Sequence, residues 1–262
     1  CRICNEARQH GIPYARNGNS VFYHDENILF DTPEDIFDSL NRENIERVDA
    51  VFLSHYHFDH TLGLRVLQSF VLRDKPVQYG IDPDVDLVMS QATYDSFLEP
   101  NKALSSLAET WSNLRVVEDG DTLTYGDTTI TCMGSPMEPG GGPELYSYLL
   151  EKDEKQVMLS QDETKFLDVE RVPELDVWIR ETGLFKSTPD GDPTMSEALW
   201  DEQIPTETTF EETLHHVTTV EPDKAVLTEI EELYQRSHDD LNELAAKHDT
   251  ITFAHDGMNV TV

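Results

Sequence analysis

"VDAVFLSHYHFDHTLG", residues 48–63, decides how this chain is read. The first half is an apolar run, the composition of a strand buried on both faces. The second half places His55, His57, Asp59 and His60 directly behind that strand, in a chain with only 10 histidines. Neutral imidazole and carboxylate are ligands that borderline divalent metals take. Alternate residues of an extended segment point the same way, so His55 and His57 form one pair. Asp59 and His60, on the turn that follows, form a second. Two pairs so placed can serve two cations about 3.5–4 Å apart, as in two-metal hydrolases. Ordinary surface histidines in a polar loop have no reason to gather behind a buried strand.

Working outward, "SVFYH" (20–24) and "NILFD" (27–31) are short, β-prone and separated by a turn, which predicts a hairpin. "TPEDIFDSLNRE" predicts a helix with Thr32 as N-cap and Pro33 at its first position. "LGLRVLQSF" and "VDLVMSQATYDSFL" (85–98) read as helices. "LRVVED" (114–119), "TLTYG" (122–126), "TTITCM" (128–133), "LYSYLLE" (145–151), "QVMLSQD" (156–162) and "LDVWIRE" (175–181) read as strands. Residues 182–206 are rich in Gly, Pro, Ser, Thr and acid and predict a long surface loop, with Phe185 and Trp200 placed to cover a substrate. "TFEETLHHV" is helical, "KAVLTEI" (224–230) is a strand, and a helix starts at Ser237. "TITFAHDGMNVTV" ends the chain as strand. His215 and His216 fit helix-surface or half-buried positions better than ligand positions. Strands inside and helices outside make an α/β layered domain, one unit over 1–262, with residues 1–19 a cysteine-containing N-terminal loop.

The 262 residues are 38% hydrophobic, enough for a sizeable core, and no run approaches the ~20 apolar residues a membrane span requires. No secretory signal pattern is visible. The three cysteines, Cys1, Cys4 and Cys132, are no disulfide framework and suit a reducing cytoplasm. Asp and Glu number 52 against 19 Lys and Arg, a net charge of −33. The acids are dispersed, which favours a solvated acidic surface of the kind built for high salt over a docking face for basic partners. No basic strip for a nucleic acid is evident.

His55-Tyr56-His57-Phe58-Asp59-His60 resembles the H-x-H-x-D-H motif of the metallo-β-lactamase superfamily. Further residues follow in that family's order: Asp31 in "LFD", Asp162 in "MLSQD" and His255 in "FAHDG". The resemblance implies a four-layer αββα sandwich. It implies His55, His57, Asp59, His60, Asp162 and His255 as metal ligands and Asp31 as the residue that orients a ligating His. Cys1 and Cys4, with the "DGM" of residues 256–258, are similar to the branch containing the phosphodiesterase of the carbon–phosphorus lyase pathway. There, such cysteines help hold a structural zinc; here two thiolates need further donors, such as His10, and two free thiols are the other reading.

Two departures stand out. The family's metal-binding His between the first motif and Asp162 is missing; Pro139 stands in its place, with Glu138 and Ser135 the nearest donors. In "VLTEIEE", Glu229 stands where related phosphodiesterases have a His used in proton transfer. His238 could supply that function. The resemblance thus implies one or two divalent cations, Zn or Mn, and a metal-activated hydroxide. Asp59 orients the hydroxide, and Glu229 and His238 are the acid–base candidates. A small phosphodiester is the expected substrate. An ester, thioester or lactone hydrolase, a nucleic-acid exonuclease, and a metal-binding protein without catalysis stay open, as does a homodimer. No membrane partner is expected.

Overall fold

The computed structural model describes residues 1–72 and 83–262. The fold is a mixed α/β fold with two sheets, the class the sequence implies. The chain divides into two compact units. One is Asn17–Gly134 with Pro143–Tyr146; the other is Cys1–Arg16, Ser135–Gly142 and Ser147–Val262. They are called the N-terminal and C-terminal units below.

In the N-terminal unit, β1 (Val21–Tyr23) and β2 (Ile28–Phe30) pair antiparallel, as the hairpin reading predicts. β3 (Ala50–Phe52), β4 (Asp86–Ser90) and β5 (Asn113–Val117) then add in parallel, in the order β1–β2–β3–β4–β5. Every residue of β2, β3 and β4 is buried. That corrects the reading of 85–98 as one helix: residues 86–90 are a strand, and helical turns follow from Gln91 to Leu98. A strand buried on both faces has no polar alternation, so periodicity cannot tell it from a buried helix. Ser90 marks the switch, its hydroxyl accepting from the Thr93 N–H at 3.0 Å.

The helix expected from Thr32 begins later, spanning Ile36–Arg42. Thr32 is fully buried instead, and its N–H donates to the His60 carbonyl at 2.8 Å. "LGLRVLQSF" is helical from Val66 to Leu72. A further helix, Lys102–Trp111, is capped by Asn101, whose Oδ1 accepts from the N–H groups of Ala103 and Leu104. β6 (Thr122–Tyr125) pairs antiparallel with β7 (Thr128–Ser135). Leu29, Val51, Leu53, Leu64, Leu67 and Leu87 form the centre of this unit's core.

In the C-terminal unit, residues 148–152 of β8 (Leu145–Lys152) pair antiparallel with β9 (Lys155–Ser160). β9, β10 (Val177–Glu181), β11 (Lys224–Thr228) and β12 (Ile251–Phe253) are mutually parallel neighbours. Parallel neighbours put the carboxyl ends of all four strands on one rim. The C-terminal strand is shorter than expected, ending at Phe253. Residues 2–10, expected as loop, form the helix Arg2–His10. The stretch 182–206 carries a helix, Glu197–Gln203, and Phe185 is buried against Phe210 and Tyr234 rather than turned toward a substrate. The helix expected from Ser237 spans His238–Ala245, with Ser237 as its N-cap and Ser237 and Asp240 bonding reciprocally. Among the described residues, no helix is long and apolar enough to cross a membrane.

Candidate metal centre

The N-terminal unit gathers Asp31, His55, His57, Asp59 and His60 behind the parallel ends of β2 and β3. Asp31 follows β2 with φ 61°, a left-handed conformation that Asp tolerates better than most residues. This turns its fully buried carboxylate toward the β3 exit. Ser54 N–H donates to Asp31 Oδ1 at 2.7 Å and the Ser54 hydroxyl to Oδ2 at 2.8 Å. His60 Nδ1 lies 2.9 Å from the same Oδ2.

These contacts fix two imidazoles. A carboxylate only accepts, so His60 Nδ1 carries the proton. The Ser54 hydroxyl has spent its one proton on Asp31, so in its 3.0 Å contact with His55 Nδ1 the imidazole donates. In both rings Nε2 is then the lone-pair nitrogen, the tautomer a metal ligand needs. His60 Nε2 lies 3.6 Å from Asp59 Oδ2, and the His55 ring stands 4.5 Å from His57 and 4.4 Å from His60. His55 and His57 each offer a ligand atom within 4.8 Å of the other. Asp59 is exposed, His57 half-buried, and His55 and His60 have no exposed surface. The donor set fits a divalent cation: two imidazoles whose Nδ1 atoms are engaged, so that Nε2 is the atom left to a ligand, with His57 and an accessible carboxylate beside them.

Two backbone bonds hold the loop in place. Thr32 N–H reaches the His60 carbonyl, and Gly63 N–H reaches the Thr32 carbonyl, each at 2.8 Å. A Cβ on Gly63 would lie 2.1 Å from the Pro33 carbonyl oxygen, so only glycine allows this approach.

In the C-terminal unit the rim of β9–β12 carries Asp162, Glu181, Glu229 and His255. Asp162 is half-buried just past β9, and Glu163 beside it adopts φ 54° with 8% exposure. Asp162 and Glu163 offer carboxylate oxygens within 4.8 Å of each other. Glu163 escapes sequence reading because it is one acid among 52; a non-glycine residue forced left-handed at a strand end is a structural signal only. Glu181 is buried at the end of β10, accepting from the Thr164 N–H and hydroxyl. Burial first, then the charge of Asp162, raises its pKa. Burial, then Asp162 and Glu181, pushes Glu207 up to about 7.

Glu229 is half-buried with φ 53°, just beyond β11. His255, also half-buried, has Nδ1 2.9 Å from the Asp256 carbonyl, again leaving Nε2 as the lone-pair nitrogen. Its ring stands 5.6 Å from that of His238. Burial, then His255, lowers the pKa of His238, which is therefore neutral at pH 7. Glu138 and Pro139 are exposed, and Ser135 is buried. Cys1 caps its helix, its Sγ accepting from the Cys4 N–H at 3.5 Å, while His10 packs on Tyr14.

Two sheets of parallel-ended strands with His and Asp donors on their rims define the class of metallo-β-lactamase-fold proteins, most of which are metal-dependent hydrolases. The chain belongs to the β-lactamase superfamily domain family, whose profile matches residues 26–230. A solved diphosphatase of the PhnP family aligns with all of this chain and 90% of its own, at a TM-score of 0.73 and 19% identity. Zn-bound PqqB from Methylobacterium extorquens gives 0.69 over all of this chain and 93% of its own, at 15% identity. The short form of human tRNase Z gives 0.59 over 93% of this chain and 91% of its own, at 14% identity. At these identities the likeness is one of fold. UPF0282 proteins of two Saccharolobus islandicus strains are 30% identical over 129 residues, 48% of this chain and only 38% of their own length.

Proposed function

We propose that this protein is a metal-dependent phosphodiesterase acting on a small diester. His55, His57, Asp59, His60, Asp162 and His255 hold one or two divalent cations, Zn or Mn. The observation that carries the reading is the pair of Nδ1 contacts, His60 to Asp31 and His55 to Ser54, which commit both Nε2 atoms to a ligand's task. When bound, such cations supply Lewis acidity toward phosphoryl oxygens and lower the pKa of water toward neutrality.

The chain's own residues do the rest. Asp31 locks the tautomer of His60 and, through Ser54, that of His55. Asp59, exposed beside His60, orients the attacking water. His238, neutral through burial, takes up a proton and passes it on, and Glu229 protonates the departing oxygen. A small substrate is favoured because no basic strip for a polyanion is evident in the sequence. The PhnP-family diphosphatase of the same fold supports hydrolysis at phosphorus.

The test is turnover of bis-p-nitrophenyl phosphate after removal of metal by chelator and return of Mn or Zn. Restored turnover is expected. Hydrolysis of ester, thioester or lactone probes without the diester would overturn the reading. Stoichiometric metal uptake with no turnover of any probe would show a metal-binding protein instead.

A further inference from the structure

Arg180 sits on β10 with no exposed surface. Its Nη2 donates to the Thr164 hydroxyl at 2.8 Å and reaches the Thr213 hydroxyl at 3.5 Å. The Thr164 hydroxyl donates in turn to Glu181, so a threonine stands between the guanidinium and that carboxylate. The guanidinium carbon lies 4.5 Å from the centre of the Trp178 ring. Nε and Nη1 are buried and have no hydrogen-bond partner among the described residues.

The facing helix, Phe210–Val220, supplies a second orphan. Thr213 and His216 are three residues apart and share a helix face. His216 Nδ1 is buried without a partner among the described residues. Burial, then the charge of Arg180, holds this imidazole down at about 4, so at pH 7 it is neutral and can donate through one nitrogen.

A buried charge persists in a fold only when it is compensated, and buried N–H groups are rarely left unbonded. A water molecule would bond some of these donors but bring no charge. We propose that Arg180, with His216, binds a small monovalent anion, chloride, inside the C-terminal unit. An anion accepts from guanidinium and imidazole alike. Thr164, Trp178 and Thr213 are all fully buried around the guanidinium, which favours a single-atom anion over a polyatomic one. Glu181, reached through the Thr164 hydroxyl, offsets part of the guanidinium charge but bonds neither Nε nor Nη1, so two donors are still to be satisfied.

Two measurements on the full chain test this. Melting in chloride should exceed melting in gluconate at equal ionic strength by about 2–4 °C. Crystals grown in bromide should show anomalous density within about 3.5 Å of Arg180 Nε or Nη1. His216→Leu should shrink the chloride-specific shift and Arg180→Met should abolish it. Equal midpoints in the two salts, no anomalous density beside Arg180, or an undiminished shift in His216→Leu would each overturn the proposal. Should Arg180→Met fail to fold, the wild-type and His216→Leu measurements still decide.

Discussion

Asp31 carries more of the candidate centre than any ligand does, though it need touch no metal. It accepts three hydrogen bonds and thereby sets two imidazole tautomers. Asp31→Asn is the sharp test, because Asn also tolerates φ 61° and has the same shape. Losing the charge at such an orienting position should weaken metal binding about 10–100-fold, read by metal titration, with the fold intact by circular dichroism. Asp162→Ala should abolish metal-dependent turnover and leave the fold; unchanged rates would remove Asp162 from the centre. His216 offers a pH test. Its folded pKa of about 4 lies below the ordinary 6.5, so the unfolded chain binds the proton more readily. Its contribution to stability is present above pH 6.5 and is lost as pH falls through 4. His216→Gln should therefore flatten the stability–pH slope between those limits, measured by urea melts.

At the level of elements, the site depends on how closely segments approach. Gly63 lets the helix entry lie against Thr32 and Pro33, and Gly63→Ala would drive a methyl into the Pro33 carbonyl. Overpacking of this kind costs about 1–3 kcal/mol and should also displace Asp31, so metal affinity and denaturation midpoint should fall together. The histidine loop is legible in the sequence because its four donors lie in one short segment behind an apolar run. β4 is not, because five buried positions in a row carry no period. The helix at Lys102–Trp111 did carry a sign, Asn101 followed by apolar residues at 104, 107, 108 and 111. Glu163 and Glu181 stay hidden for another reason: only strand ends and burial separate them from the many solvated acids. The family's third histidine has no replacement at Glu138, which is exposed as a solvated acid would be. Pro139→His should raise metal occupancy at His55 and His57, read by counting metal per chain.

Across the whole molecule, charge outweighs every other feature. With −33 formal charges on 262 residues, self-repulsion is screened only by salt, whose Debye length falls from about 10 Å at 0.1 M to about 3 Å at 1 M. The melting midpoint should rise steeply with KCl; a flat curve would remove the high-salt reading of this surface. The common direction of β9, β10, β11 and β12 has a separate consequence. Asp162, Glu181, Glu229 and His255 all leave from the same edge, and the opposite edge carries none of them. The turns there, at residues 153–154, 172–176, 221–223 and 246–250, are where the chain can be cut, permuted or fused to a reporter without disturbing a single donor.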